Sequence, residues 1–158
     1  MDDSIQSVPK GFHTITPYLV VHDGPAAIKY YQKAFGAKEC VRLTDPDGRR
    51  IRHCELQIGD SKLYLTDIPL APETVVPRGR DVSPVWLYLY VADPDAVFER
   101  ASAAIGAEVI TPMTDAPWGD RYGCVCDPFG YRWGIAAKRE NLTPEQIRQR
   151  MFGARVEE

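Results

Sequence analysis

Apolar residues along the chain fall into short runs with strand or helix spacing, separated by turn residues. From His13 to Val21, β-branched and aromatic residues predominate, which predicts a strand. Asp23-Gly24-Pro25 then opens a helix, because Asp can cap the first turn and Pro fits inside it. Ala27, Tyr30, Tyr31, Ala34 and Phe35 follow at helical spacing, and Gly36 stops the helix. Three more strands are predicted, at 39–44, 51–58 and 62–67, divided by turns at Asp45-Pro46-Asp47-Gly48 and Gly59-Asp60. The order is βαβββ.

The same order recurs. Tyr18, Leu19, Val21, Asp23, Ala26, Ala34, Gly36, Ala37 and Cys54 are each matched by the identical residue 70 positions later, from Tyr88 to Cys124. One constant offset across a strand, a helix and its glycine stop makes the chain two copies of one supersecondary unit. The predicted organisation is an arm (1–12), a first βαβββ unit (13–67), a linker or lid (68–83), a second βαβββ unit (84–138) and a C-terminal helix with its tail (139–158). Segment 68–83 is assigned as connection because it is rich in proline and has no periodicity. In the tail, Thr143-Pro144-Glu145-Gln146 carries a capping box signature, and Ile147 and Met151 form one narrow apolar stripe for docking. The fold class is α+β, with mixed sheets and a short terminal helix.

The stretch Trp118 to Trp133 holds the densest chemistry. Trp118, Asp120 and Arg121 lead into a strand, Asp127-Pro128-Phe129-Gly130 makes a tight turn, and a second strand starts at Tyr131. Nineteen Lys and Arg against 22 Asp and Glu give a net charge of −3, with no basic face or polybasic run, so neither nucleic acid nor an anionic membrane is an expected partner. The polar, acidic start lacks the pattern of a signal peptide, so a cytoplasmic protein is expected. The four cysteines, Cys40, Cys54, Cys124 and Cys126, are read as small core hydrophobes rather than disulfides or zinc ligands. No glycine-rich loop follows a strand to cradle a dinucleotide, ATP or S-adenosylmethionine, so no cofactor is expected.

The paired βαβββ units, with PYLVVHD, AFGA at Ala34 to Ala37, the His53-Cys54-Glu55-Leu56 strand, WGDRYG, DPFGYRW and the Thr-Pro-Glu-Gln tail, resemble the vicinal oxygen chelate superfamily and within it the PhnB-like branch. That superfamily includes glyoxalase I, bleomycin- and fosfomycin-resistance proteins and extradiol dioxygenases. The resemblance implies two curled sheets, each with its helix outside and a ligand cavity inside. Alternation then places His53, Glu55 and Gln57 toward the cavity, with Cys54, Leu56 and Ile58 against the helix. Carried over at the 70-residue offset, Gly123, Val125 and Arg121 face the second cavity wall. Ile15, Leu19 and Val21 take the helix side of the opening strand, leaving Thr14, Thr16, Tyr18 and Val20 inside.

Metal-dependent members place His, Gln or Glu at four converging positions. By the resemblance these are Thr16, Tyr64, Trp86 and Gly134, none of which supplies an imidazole or a carboxylate, so no metal is expected. The leading expectation is a metal-free protein that binds a small aromatic or anionic molecule, lined by Thr16, Tyr18, Tyr64, Trp86, Tyr88, Tyr90, Trp118 and Arg121. The alternatives are a lyase or isomerase using His53 and Glu55 as acid and base, a glyoxalase- or dioxygenase-type enzyme with an unusual metal site, and a dimeric interaction protein. A homodimer is expected from the superfamily.

Overall fold

The computed structural model describes residues 5–78 and 81–153. Met1 to Ser4 of the predicted arm, Gly79 and Arg80 of the linker, and 154–158 of the tail lie outside the described residues. The chain forms two compact units, Met1–Asp81 and Val82–Glu158.

In the first unit the elements are β1 (Tyr18–Val20), α1 (Gly24–Phe35), β2 (Lys38–Thr44), β3 (Ile51–Ile58) and β4 (Ser61–Thr66). The second holds β5 (Trp86–Tyr90), α2 (Pro94–Ser102), β6 (Glu108–Asp115), β7 (Asp120–Cys126), β8 (Arg132–Lys138) and α3 (Pro144–Phe152). Each unit builds one four-stranded mixed sheet, ordered β1-β4-β3-β2 and β5-β8-β7-β6. In each, the opening strand pairs parallel to the closing one and the other pairings are antiparallel. The sheets are not closed into a barrel, and among the described residues no helix is long and apolar enough to cross a membrane.

The duplicated N-caps form in both units, but the expected glycine stop is not repeated: α2 ends at Ser102 with Ala103 as its cap, ahead of Gly106. Asp23 accepts a hydrogen bond from Ala26 N at 3.0 Å and Asp93 from Ala96 N at 3.1 Å. Gly36, at φ 67°, closes α1 in the left-handed conformation that other residues resist. The opening strand is shorter than the periodicity predicts. Pro17 has no N–H to continue the ladder, although its carbonyl accepts from Tyr64 N at 2.8 Å, so pairing begins at Tyr18. Thr14 and Thr16 therefore lie outside the strand, and Ile15, expected against α1, is 83% exposed. Val20, expected on the cavity side, is buried. The α3 capping box forms, yet no residue of that helix is buried, and the Ile147–Met151 stripe makes no deep seat.

The largest departure is in β7. The 70-residue offset holds for the opening strands, since Tyr18 pairs with Tyr64 and Tyr88 with Gly134. It fails in the third strands: Cys54 pairs with Leu65, but Gly123, not Cys124, pairs with Ile135. The cause is the turn. Gln57 pairs with Lys62 around Gly59-Asp60, while Cys126 pairs with Arg132 around a turn one residue longer. Asp127 holds that extra residue. Its Oδ1 accepts from Phe129 N and Tyr131 N at 2.8 and 2.9 Å, its Oδ2 accepts from Trp133 Nε1 at 2.8 Å, and Gly130 supplies φ 87°.

A slip of one residue turns a strand over. Gly123 and Val125 consequently face α2 rather than the cavity side, and Tyr122 and Cys124 take the open face. The counterparts of His53 and Glu55 are Tyr122 and Cys124, and the Cys54–Cys124 identity joins residues on opposite faces. An ideal Cβ on Gly123 would sit 2.6 Å from Met113 Sδ and 2.8 Å from the Phe98 ring of α2. Gly123→Ala should therefore lower stability in urea denaturation by about 1–3 kcal/mol through overpacking. Wild-type stability in that variant would place position 123 on the open face and refute this register.

Candidate ligand-binding faces of the two sheets

On the first sheet, Tyr18, Tyr64 and Glu55 form one row across β1, β4 and β3 on the face away from α1. His53 lies two residues from Glu55 on the same strand face. Tyr18 Oη and His53 Nδ1 are hydrogen-bonded at 2.9 Å, and His53 Nε2 is 3.7 Å from Glu55 Oε1. The Tyr64 ring stands edge-on to His53 at 4.7 Å and to Tyr18 at 5.3 Å, and Phe12 covers Tyr64 at 5.8 Å. Burial, with the neighbouring Tyr64 second, raises the Tyr18 hydroxyl above its ordinary value. The result is a phenol, imidazole and carboxylate in sequence, half-buried against aromatic rings.

The second sheet carries a wider aromatic wall. Trp86, Tyr88 and Tyr90 share one face of β5 and are 46%, 44% and 61% exposed. Directly opposite Tyr88 and Tyr90 the closing strand presents Gly134 and Ala136, so the tyrosine side chains lean across it. An ideal Cβ at Gly134 would lie 2.8 Å from the Tyr88 ring and 3.0 Å from Tyr122. Those two rings stack at 5.5 Å with planes 8° apart, and Trp118 meets Tyr122 edge-on at 5.3 Å. Only glycine leaves room for them.

Beneath this wall sits Asp120, 2% exposed. One oxygen, Oδ2, accepts from Tyr88 Oη at 2.9 Å, Tyr90 Oη at 3.1 Å and Trp118 Nε1 at 3.1 Å. The other, Oδ1, lies 3.2 Å from Lys138 Nζ, an ion pair too oblique to be a hydrogen bond, and Lys138 is the ladder partner directly opposite. Burial works to raise Asp120, but the hydrogen bonds from Tyr88 and Tyr90 and the ion pair with Lys138 prevail and hold its carboxyl below the usual range. Tyr88 is pushed up, first by burial and then by its bond to Asp120, against the opposing Trp118 N–H. Burial pushes Tyr122 up to about 12.

Of the expected site residues, Tyr18, His53, Glu55 and Tyr64 come together on the first sheet, and Trp86, Tyr88, Tyr90 and Trp118 on the second. Thr16 lies in the segment before β1. Arg121 is a correction: the register slip carries it to the α2 side, where it donates to Asp95 at 2.7 and 3.2 Å and pairs with Asp115 at 3.6 Å. Its guanidinium fork is already filled. Asp120 and Arg132 are not among the expected site residues. Arg132 stands on the open face beside Trp86, with its guanidinium 5.4 Å from the indole centroid.

The superfamily's metal corners do not fit an ion here. Position 134 tolerates no side chain, Tyr64 packs its ring against His53 and Tyr18, and Trp86 lies under Arg132. Among the described residues no three His, Cys, Asp or Glu gather where they could hold a metal. Of the cysteines, Cys54, Cys124 and Cys126 are buried as expected, and burial first among several causes pushes the Cys54 thiol up to about 12. Cys40 is exposed, and Lys62 Nζ donates to its sulfur at 3.0 Å.

Residues 11–135 match the family model for the Glyoxalase/Bleomycin resistance protein/Dioxygenase superfamily. The uncharacterized protein Mb0911c of Mycobacterium bovis is 39% identical over 140 residues, covering 87% of this chain and 91% of the relative. TioX from Micromonospora sp. ML1 is similar in structure, with TM-score 0.63 and 28% identity over 80% of this chain and 98% of TioX. A PhnB protein from Bacillus cereus shares the fold, with TM-score 0.62 and 15% identity over 79% of this chain and 99% of its own. The chain thus belongs to the glyoxalase/bleomycin resistance protein/dioxygenase superfamily.

Proposed function

We propose that this protein binds a planar aromatic small molecule on the Trp86, Tyr88 and Tyr90 face without the help of a metal ion. The single observation that carries this reading is the hydroxyl anchoring of half-exposed rings. Tyr88, Tyr90 and Trp118 all donate to one buried carboxylate oxygen, so their polar ends are satisfied inside while Tyr88 and Tyr90 stay about half exposed. Rings fixed in this way lose little entropy when something stacks on them.

A second reading is favoured by the Tyr18, His53 and Glu55 sequence. With Glu55 3.7 Å from Nε2 and Tyr18 on Nδ1, the imidazole can pass a proton to or from a bound molecule through its Tyr18 or Glu55 neighbour. His53→Gln would abolish turnover in that case and leave ligand affinity within about threefold, measured by steady-state kinetics and titration.

Titration with planar aromatic compounds, followed by tryptophan fluorescence on protein freed of metal by a chelator, tests the binding reading. Saturable quenching is expected, with Trp86→Ala and Tyr88→Ala each weakening it by about tenfold or more, as loss of a stacking contact does. Silence across the library, together with a dimeric mass on gel filtration, would assign the aromatic row to a second copy of the chain.

The anchor has its own signature. Because Asp120 titrates below its unfolded value, its contribution to stability is full above about pH 4 and is lost as pH falls through the lower folded value. Asp120→Asn should cost roughly 1.5–3 kcal/mol at neutral pH and flatten the acid limb of stability measured by urea denaturation. An unchanged acid limb would mean that the carboxylate does not carry the network.

A further inference from the structure

The face that holds the aromatic wall carries two cations on β8, and they are not equivalent. Lys138 is committed to Asp120. Arg132, two residues before Gly134 on the same face, is not paired with an acid among the described residues. Among the described residues it makes no ion pair, its guanidinium lies over the Trp86 ring, it stands opposite Cys126 in the ladder, and its Nε is buried without a hydrogen-bond partner. Glu108 lies in the same cross-strand row, through Cys126, but belongs to the second strand over and does not pair with it. A guanidinium is usually matched by a carboxylate or phosphate when partly buried, because its five donors are costly to leave unmet.

From this geometry we infer that Arg132 is the anchor for an acidic group on the ligand, so that the molecule recognised is a planar aromatic oxyanion. The inference rests on the aromatic-face reading given above and specifies its ligand class. Trp86 stands directly opposite Arg132 in the ladder, and Tyr88 directly opposite Gly134. Two residues along a strand span about 7 Å, roughly the length from a carboxylate or sulfonate to the centre of an attached ring system. An acidic group held by Arg132 therefore sets the aromatic body over Tyr88 and Tyr90. Trp86 holds the guanidinium plane in place by cation–π contact, leaving the N–H edge to fork onto two oxygens. Arg121 cannot serve in this way, since Asp95 and Asp115 occupy it on the other face of the sheet.

Two probes with one skeleton decide the matter: 1-anilinonaphthalene-8-sulfonate and N-phenyl-1-naphthylamine, which differ by the sulfonate. Each brightens when it enters an apolar site, so both are titrated into wild-type protein, Arg132→Gln and Arg132→Lys at low salt. The expected result is a preference of about tenfold or more for the sulfonate in the wild type, the scale of one charge-assisted contact. Arg132→Gln should bring the two affinities within about twofold while leaving the neutral probe nearly unchanged, and Arg132→Lys should keep part of the preference because it keeps the charge without the fork. Near-UV circular dichroism confirms that Trp86 and its neighbours remain packed in each variant.

A preference that survives Arg132→Gln would overturn the assignment. So would a wild type that binds both probes equally, and in that case weakening of both by Tyr88→Ala would leave the aromatic-face reading standing alone. If neither probe binds, both readings fall.

Discussion

Successive side chains of a strand point to opposite faces, so the single residue added to the β7–β8 turn decides what the whole of β7 presents. With the shorter turn of the first unit, Arg121, Gly123 and Val125 would line the open face and Asp120 would be turned toward α2. With the longer turn, Asp120 goes under the tyrosines and Arg121 goes to Asp95. The extra residue is stable because Asp127 accepts two backbone N–H groups of the turn and the Trp133 indole, satisfying donors that a longer loop would otherwise strand. A structural aspartate in a turn thereby determines the polarity of a face several residues away.

That inversion produces a division of labour between the two sheets. The first keeps ionisable groups on its open face, with His53 and Glu55 close to Tyr18. The second keeps its acid underneath: Asp120 is buried, matched by Lys138 and three hydroxyl or indole donors, and rings lie above it. A buried carboxylate tolerates this setting only when well hydrogen-bonded, and the shared acceptance on Oδ2 makes the positions of Tyr88, Tyr90 and Trp118 interdependent. Moving one ring disturbs the other two.

The fold is largely legible in the sequence because its signals are local. Asp23 and Asp93 cap their helices, Gly36 ends α1, and the paired strand runs announce themselves by residue type. The first strand reads too long because β-branched residues at 13–16 look like ladder residues, whereas Pro17 withholds the N–H that would extend pairing. The face of β7 is not legible from its own residues, since Tyr122, Cys124 and Val125 are apolar on both sides and alternation carries no information there. The identity of Cys54 and Cys124 even points the wrong way. A signal does exist in the comparison of turns, where Asp127 to Tyr131 is longer than Ile58 to Ser61. Arg132 is hidden inside the DPFGYRW turn motif, although its spacing of two from Gly134 places it on the open face.

The same residues explain why the superfamily's ion-holding geometry gives way here to stacking. The resemblance puts Gly134 at a position where metal-dependent members carry a ligand, and any side chain there would collide with Tyr88 and Tyr122. A carboxylate there would require both rings to leave, and their departure would strip Asp120 of a donor and expose it beside Lys138. A metal-ligating side chain and the ring stack over the buried acid are thus mutually exclusive at one strand position. The aromatic wall is built on the absence of a side chain, and Arg132 is the charge left on its surface.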